Sequence, residues 1–532
     1  MSSQAVVENA KSLDDATNST DNWWSFIETQ KFWKGLLVLG ILLNVIVILT
    51  SDLGLDTHVR MAEDENGSLV WGHTRPIDTQ SSDPSYAPEN LNYDFTFGDS
   101  EFGIKIISLV IMGLLIGLAG SSVTIAGNGG EKYRLRAAAI VAIYPTFIFS
   151  TGRAYYEPII SALIIICVIP YILWEIEEQK SKRILAILIS TLTFSGVLIA
   201  KNINPIYCLI FGAALVLYFV IDNFAPNITR RPVKAATITI CSITIAMIGY
   251  GILGDKGTLS IINDETGRFF FALLVSAIDM ILIYSLFGMI LWPFVGSAYK
   301  YIVEVEDLKA SILSIIIAGF TTAITIYVAA LWTFESVIWY AEWPWIMWTM
   351  GNNGRYISLV MIPAMMLIAR LKLLNPELPS LAEPKGQAKS LAIGIMLILP
   401  LSLLASIHGQ TFWTDDAAEV LDNNMEDAED FLFIHEGTLG MHYLYTFHTG
   451  IDDVDERNIT GHWRTPDSGW QEEMLGVTMD NRGNLSNVKW VIFSPSTDWI
   501  DGVPEGWSMN HRGSADFMNG GGDWEIWSTQ TS

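Results

Sequence analysis

Charged residues are scarce in this chain, and cysteine is scarcer still. Only 16% of the 532 residues are charged, 51% are hydrophobic, and the mean hydropathy is +0.35. This composition is too apolar for a soluble globular protein and is typical of a polytopic membrane protein. The three cysteines, Cys167, Cys208 and Cys241, lie inside apolar runs. Their positions argue against both a disulfide framework and a thiolate metal site.

No cleavable signal peptide is expected either. The first 30 residues are polar, and the first apolar run is not followed by small residues at a cleavage site. We expect residues 1–30 to form a disordered cytoplasmic N-terminus. The first apolar run should remain in the protein as a helix.

Apolar runs near the ~20 residues needed to cross a bilayer recur along residues 31–407. They predict an α-helical polytopic membrane domain of about 11 transmembrane helices. The predicted spans are 33–50, 103–121, 135–151, 157–174, 184–200, 204–221, 235–254, 269–295, 310–333, 356–371 and 389–407.

The acidic excess is confined to two segments. Residues 52–103 hold 11 Asp and Glu against 2 Lys and Arg, and residues 407–532 hold 23 against 5. All eight histidines lie in the same two segments, which indicates one shared aqueous compartment. The short loops hold 15 Lys and Arg in one alternating set and five in the other. Because cytoplasmic loops are enriched in these residues, we predict a cytoplasmic N-terminus and place both acidic segments outside the cell membrane.

The chain after residue 407 has the pattern of a small soluble domain. Residues 417–432 predict a helix, and residues 441–446, 488–493 and 524–527 predict short strands. We therefore expect residues 408–532 to form an extracytoplasmic α/β domain with its own core.

Three basic residues stand out because they lie on the predicted outer side, beside helix ends, where Lys and Arg are disfavoured. They are Arg153, Lys201 and Arg355. Two carboxylates accompany them, Asp56 in the stretch after the first span and Glu157 in the loop that holds Arg153. Taken singly, such residues reach lipid headgroups or begin helices.

Together these five residues have the chemistry of group transfer from a lipid phosphate. Arg and Lys bind phosphate, a deprotonated Asp acts as a general base, and paired carboxylates suit a divalent ion such as Mg²⁺ or Mn²⁺. Asp56 and Glu157 are the candidate metal ligands if such an ion is used.

Their order resembles a known family. The acidic first outer loop, the short loop from Arg153 to Glu157, Lys201 at the end of the fifth span, and Gly354-Arg355-Tyr356-Ile357 before Pro363 are similar to features of the GT-C superfamily of glycosyltransferases. Within it, the nearest likeness is to the branch of dolichyl-phosphate-mannose protein mannosyltransferases and aminoarabinose transferases. The resemblance spans roughly residues 33–407.

The resemblance implies a GT-C-like fold and a role for each matching residue. Asp56 would be the essential acid, acting as base or metal ligand, with Glu157 as the second acid. Arg153, Lys201 and Arg355 would hold the donor phosphate. The supporting residues would be His58, Arg60, Tyr155, Tyr156, Asn202 and Tyr356. Many members carry a second acid where Thr57 stands, which leaves His58, Glu63 or Asp64 for that role.

The expected function is transfer of a sugar from a polyprenyl-phosphate-linked donor to an acceptor hydroxyl at the outer membrane face. The acceptor would be a protein or a lipid-linked glycan, and membrane lipid but no nucleic acid would be a partner. A transporter or flippase of a lipid-linked or anionic solute is the alternative, although Asp279 is the only clear mid-span acid. A non-catalytic assembly or sensor protein would be favoured if Asp56 and Glu157 lay far apart.

Overall fold

A computed structural model describes most of the chain. The described residues are 23–61, 101–201, 203–254, 257–338, 343–349, 354–408, 411–436, 440–454, 456–478, 484–517 and 521–529. Part of the segment predicted to be disordered is ordered, since Trp23–Glu28 form a 3-10 helix. Trp33 Nε1 donates to Ile27 O at 2.6 Å and anchors this helix to the membrane domain. Thr29 and Gln30 are ordered as well, as the N-cap and first residue of the next helix, and residues 1–22 lie outside the described ranges.

The first 407 residues are helical wherever they are described as regular. In chain order the helices are α1 (Gln30–Thr50), α2 (Leu55–Met61), α3 (Glu101–Gly127), α4 (Glu131–Ala142), α5 (Pro145–Gly152), α6 (Glu157–Leu173), α7 (Lys180–Ile199), α8 (Cys208–Phe224), α9 (Pro226–Thr229), α10 (Pro232–Leu253), α11 (Ile261–Asp264), α12 (Thr266–Phe287), α13 (Trp292–Glu304), α14 (Leu308–Ile338), α15 (Ile346–Thr349), α16 (Ser358–Leu374) and α17 (Ala388–Ile407). Short 3-10 helices form at Pro205–Tyr207, Thr258–Ser260 and Gly354–Ile357.

The helices make this a multi-pass membrane protein. Within the described residues, nine helices are long and apolar enough to cross a bilayer, or ten if the bent pair α4 and α5 counts as one span. Each of the 11 predicted spans coincides with one of these ten or with α6, which has 17 residues. The eighth prediction, 269–295, is too long. Its helix α12 ends at Phe287, and a turn follows before α13.

The third span is broken between α4 and α5, whose axes differ by 58°. Pro145 has no N–H to continue the helical hydrogen bonds and begins α5. The carbonyls left free at the break find side chains, as backbone groups in a membrane must. Asn44 Nδ2 donates to Ala142 O at 2.7 Å, and Ser402 Oγ donates to Ile143 O at 2.5 Å. These bonds tie α1 and α17 to the break.

The C-terminal domain is built on a five-stranded sheet in the order β2-β1-β3-β5-β4. Its elements are α18 (Trp413–Asn424), β1 (Asp430–Ile434), α19 (Gly440–Gly450), β2 (Thr460–Arg464), α20 (Trp470–Met474), β3 (Val488–Phe493), β4 (Trp507–Ala515) and β5 (Gly522–Thr529). Strand β1 is parallel to β2 and β3, whereas β5 is antiparallel to β3 and β4. In register, Leu432 pairs with Val491, which pairs in turn with Trp527.

Two predictions for this domain are wrong. The helix expected over 417–432 ends at Asn424, and the second half of that range contributes to β1. Residues 441–446, expected as a strand, lie in α19. The buried positions Leu444, Phe447 and Ile451 recur every three or four residues, a helical period that a six-residue window is too short to separate from a strand. The predicted strands at 488–493 and 524–527 are confirmed.

Candidate functional site

The site begins where helix α2 meets the loop after α5. Gly54 N donates to Arg153 O at 2.9 Å, and Thr57 Oγ1 donates to the same oxygen at 3.2 Å. A Cβ atom on Gly54 would lie 2.5 Å from the Tyr155 ring, so only glycine allows this approach. The two segments are thereby locked together, which places Asp56 beside the start of α6, where Glu157 lies.

Four of the predicted residues are linked by ion pairs, two of them to the guanidinium of Arg355. Arg355 Nη1 lies 3.2 Å from Asp56 Oδ2, and Arg355 Nε lies 3.7 Å from Glu157 Oε1. Lys201 Nζ lies 3.4 Å from the same Glu157 oxygen. We call Asp56, Glu157, Lys201 and Arg355 the bridged cluster. It draws on four separate segments of the chain, and its two acids and two bases cancel in charge.

Aromatic rings support the cations of the bridged cluster. Arg355 Cζ lies 4.5 Å from the centre of the Tyr155 ring and 5.6 Å from that of Tyr356. Lys201 Nζ lies 5.7 Å from the centre of the Tyr356 ring. A Cβ atom on Gly354 would lie 2.8 Å from Phe287, so this glycine lets the segment that carries Arg355 pack closely on α12. Tyr155 and Tyr356 therefore both lie beside the cations of the bridged cluster.

Exposure is uneven across the bridged cluster. The Glu157 side chain is only 3% exposed, whereas those of Asp56 and Lys201 are 36% and 37% exposed. A reactant can therefore approach Asp56 and Lys201, with Glu157 behind them as a buried counter-charge.

Arg153 does not join the bridged cluster. Its guanidinium is buried with Cζ 4.3 Å from the centre of the Phe149 ring. Among the described residues, neither Nη1 nor Nη2 has a hydrogen-bond partner. Burial lowers the pKa of Arg153 to about 10, which leaves it charged at neutral pH. The expectation that Arg153, Lys201 and Arg355 act as one group is therefore not met by the geometry.

The remaining supporting residues lie in different surroundings, none of them in the bridged cluster as described. His58 faces the C-terminal domain, with Nδ1 2.6 Å from Thr449 Oγ1, and burial lowers its pKa to about 4, so the ring is neutral. Tyr156 packs into the apolar cluster around Ile160 and Trp332. Asn202, Glu63, Asp64 and the side chain of Arg60 lie outside the described part of the chain.

Thr57 explains why no second acid follows Asp56. Its hydroxyl is buried and donates to the carbonyl oxygens of Arg153 and Ala154 at 3.2 and 3.4 Å. A carboxylate at this position would face two oxygens that also carry negative partial charge. Position 57 serves to join the loops and does not face the bridged cluster.

The C-terminal domain contributes a residue that the sequence did not single out. His442 lies on α19, which packs against α2 through the contact between His58 and Thr449. Burial lowers the pKa of His442, the charge of Asp56 opposes this shift, and the charge of Arg355 adds to it. His442 is therefore close enough to the bridged cluster to feel both charges. The confinement of all eight histidines to the two acidic segments was the signal that could have indicated it.

A divalent ion fits this arrangement poorly. The Arg355 guanidinium already lies between Asp56 and Glu157, and a dication placed there would be repelled by Arg355 and Lys201. Among the described residues, no group of three or more His, Cys, Asp or Glu side chains is placed to hold a metal. The two carboxylates are arranged to hold a guanidinium, so no chemical step is assigned to Mg²⁺ or Mn²⁺.

Comparison with known proteins does not assign the chain to a family. No protein-family model matches the chain, and no curated protein matches it. Function must be inferred from the chemistry of the site. A half-exposed carboxylate, two cations and a buried counter-charge can accept a proton and stabilise a negatively charged leaving group.

Proposed function

We propose that this protein is a membrane glycosyltransferase. It transfers a sugar from a polyprenyl-phosphate-linked donor to a hydroxyl of a protein or lipid-linked glycan. The observation that carries the proposal is the bridged cluster, in which Arg355 lies between Asp56 and Glu157 with Lys201 alongside. The unequal distribution of Lys and Arg among the loops supports a site on the outer face, with the N-terminus in the cytoplasm.

The proposed reaction is a direct displacement with inversion at the anomeric carbon. The acceptor hydroxyl loses its proton to Asp56, and its oxygen forms a bond to the anomeric carbon. The bond between that carbon and the phosphate oxygen breaks, and the electron pair leaves with the phosphate. Asp56 suits the role of base because its side chain is the more exposed of the two carboxylates.

The charges of the cluster favour the transition state over the ground state. Before reaction, two carboxylates balance Arg355 and Lys201. When Asp56 takes the proton, it no longer neutralises Arg355 just as the leaving phosphate gains negative charge. Arg355 and Lys201 can then stabilise that phosphate, which is the differential binding that accelerates a reaction. Buried Glu157 keeps both cations in place throughout.

Replacing Asp56 tests the proposal. Asp56→Asn should lower transfer by about 10²–10⁴-fold, the usual contribution of a general base. The assay uses membranes supplied with a panel of radiolabelled dolichyl-phosphate and undecaprenyl-phosphate hexoses. Asp52→Asn is the matched control, because Asp52 lies four residues earlier but accepts a hydrogen bond from Phe412 N instead of contacting Arg355. Full transfer by Asp56→Asn would show that the mechanism is wrong.

A transporter or flippase is the second candidate, and the broken third span favours it. Discontinuous helices often form the solute sites of transporters, and α4 and α5 meet at 58° with Arg153 at the end of α5. If the protein is a transporter, it should move labelled polyprenyl phosphate across the membrane of vesicles. Arg153→Gln should abolish this transport, and Asp56→Asn should retain it. A non-catalytic assembly or sensor protein is not favoured, because Asp56 and Glu157 lie close together and contact the same guanidinium.

A further inference from the structure

Helix α19 has two faces, and only one of them enters the core of the C-terminal domain. Leu444, Phe447 and Ile451 are 0%, 0% and 3% exposed and pack in that core. Positions 442, 446 and 449 are spaced by four and three residues, so they share one face of the helix. With about 3.6 residues per turn, that face lies opposite the one that enters the core.

The face at 442, 446 and 449 is directed at the junction with the membrane domain, and we call it the junction face. Thr449 Oγ1 lies 2.6 Å from His58 Nδ1 on α2. Thr446 Oγ1 donates to Thr414 Oγ1 on α18 at 2.6 Å. His442 is the third member of the junction face and lies in the first turn of α19.

The charges of the bridged cluster reach His442. Helix α2, which Thr449 contacts through His58, carries Asp56 in its first turn. Burial lowers the pKa of His442 below its ordinary value of 6.5, the charge of Asp56 opposes this shift, and the charge of Arg355 adds to it. The ring is therefore neutral at neutral pH.

His442 differs from the two threonines in leaving a polar atom unbonded. Its Nδ1 is buried and has no hydrogen-bond partner among the described residues. Buried polar groups in proteins are nearly always bonded, so this exception needs an explanation. It occurs at the member of the junction face on which the charges of Asp56 and Arg355 act.

A neutral imidazole suits a hydroxyl better than a phosphate. It has one N–H donor and one acceptor nitrogen, and a hydroxyl likewise donates and accepts. A phosphate is held better by cations, which Lys201 and Arg355 already supply in the bridged cluster.

We infer that His442 is a binding residue for the acceptor, which it hydrogen-bonds beside the hydroxyl that Asp56 deprotonates. The inference rests on the proposed function and gives the C-terminal domain a part in it. The donor approaches from the membrane and the acceptor from the aqueous side, so a residue of the soluble domain meets the acceptor.

His442 is not a second base in this arrangement. The charge of Asp56 favours a protonated imidazole, but that charge disappears when Asp56 takes the proton. Arg355 and burial, which both disfavour a charged ring, remain. His442 therefore stays neutral and orients the acceptor.

Steady-state kinetics of the purified full chain in phosphatidylcholine nanodiscs test the inference. The donor is the polyprenyl-phosphate hexose that supports transfer in the panel, and the acceptor probes are a synthetic peptide rich in Ser and Thr and octyl α-mannoside. His442→Phe keeps a ring and removes both nitrogens. It should raise the KM for the acceptor by about three- to tenfold, the loss of one hydrogen bond, and leave the KM for the donor unchanged.

Two further measurements exclude a merely structural role. Because Nδ1 holds no bond, His442→Phe should not lower the melting temperature. His442→Asn can place an amide donor or acceptor near the position of Nδ1, so it should restore most of the affinity for the acceptor. A structural histidine would instead lose stability and alter both KM values.

His435→Phe is the matched control. His435 lies in the same domain, and its Nδ1 is also without a partner among the described residues. Burial lowers its pKa to about 4 and the backbone of Glu436 opposes the shift, with no contribution from Asp56 or Arg355 among the described residues. The control should keep both KM values of the wild type.

The inference is overturned if His442→Phe keeps the wild-type KM for the acceptor, if the KM for the donor rises instead, or if His435→Phe has the same effect. Any of these results, obtained while Asp56→Asn abolishes transfer, overturns this inference and leaves the proposed function standing. A wild type that transfers sugar from no donor would remove both.

Discussion

The two ends of the membrane domain use arginine in opposite ways. Arg355 and Arg370 lie at the start and near the end of one span, about 22 Å apart by the helical rise. Arg370 donates to both oxygens of Asp307, at 3.0 and 2.6 Å. Arg355 instead is shared between two carboxylates at 3.2 and 3.7 Å. The first arrangement is a closed pair, and the second is an open one.

The Arg370 end repeats the closed pattern. Arg230 donates to both oxygens of Asp222 at 3.0 Å, and Thr229 Oγ1 donates to the same carboxylate. Asp307 N also donates to Arg230 O at 2.8 Å, which links the two pairs. Bidentate pairs with their donors satisfied hold loops in place. Stretched, shared contacts hold less tightly and leave charge available to a reactant, which suits a site for chemistry.

Removing one acid from each end should affect stability very differently at the two ends. Asp307→Asn should lower the free energy of unfolding by about 3–5 kcal/mol, because it leaves a largely buried arginine without its partner. Asp56→Asn should lower it by less than about 1 kcal/mol, since Asp56 is partly exposed and Glu157 remains beside Arg355. Urea unfolding in detergent, followed by tryptophan fluorescence, measures both. Equal losses would mean that the two ends are alike.

Exchanging arginine for lysine tests the same contrast through activity. Arg355→Lys should reduce sugar transfer by about 10²–10³-fold, because one ammonium cannot bridge two carboxylates and still meet the leaving phosphate. Arg370→Lys should lower the melting temperature while the surviving folded protein transfers sugar at the wild-type rate. Transfer per folded molecule, with the donor panel used for Asp56→Asn, is the measurement. A stable, fully active Arg355→Lys would contradict the role given to the open arrangement.

The sequence predicted the spans well because the length of an apolar run is a local property. Pro145 also marks the break in the third span, although the run 135–151 hides it from a hydropathy count. The end of α12 at Phe287 could not be predicted, since apolar residues continue to 295. The short helix in the C-terminal domain at 440–450 was missed because six residues do not distinguish the two periods.

The sequence singled out the four residues of the bridged cluster but also included Arg153, and it could not predict which side chains pair. Asp56, Glu157, Lys201 and Arg355 each lie beside a span end of the same side, so topology alone brought them together. Which side chains pair depends on how each helix is rotated about its axis, and the hydropathy and charge patterns of the sequence do not specify this rotation. Arg153 shows the consequence, since the turn after α5 directs it onto Phe149 and away from Arg355.

At the junction between the membrane domain and the C-terminal domain, two acids lie in contact without an arginine between them. Asp52 and Asp415 share a hydrogen bond, and Phe412 N donates to Asp52. Burial and the charge of Asp52 raise the pKa of Asp415 to about 9, and burial raises the pKa of Asp52. Glu101 and Asp416 raise the pKa of Asp415 further, and Lys105 opposes the shift at Asp52. The contact therefore holds a proton at neutral pH.

The pH dependence of stability follows from the sign of this shift. A carboxyl group whose pKa is raised on folding binds its proton more tightly in the folded chain, so its stabilising contribution is complete below its ordinary value of 3.8. The contribution falls as pH rises and is gone above about 9. We expect the wild-type melting temperature to fall by several degrees between about pH 5 and pH 9, and Asp415→Asn to flatten that slope, since an amide donates to Asp52 with no proton to lose.

Asp416→Asn separates this contact from general acidity. Asp416 is the next residue along α18, is exposed, and has the same charge, so its replacement should keep most of the slope while changing net charge equally. A slope that flattens in both variants would mean that the summed charge of the domain weakens it at high pH. If the slope flattens only in Asp415→Asn, one shared proton joins the C-terminal domain to the stretch that carries Asp56. The bridged cluster then lies close to a contact between domains that weakens as pH rises.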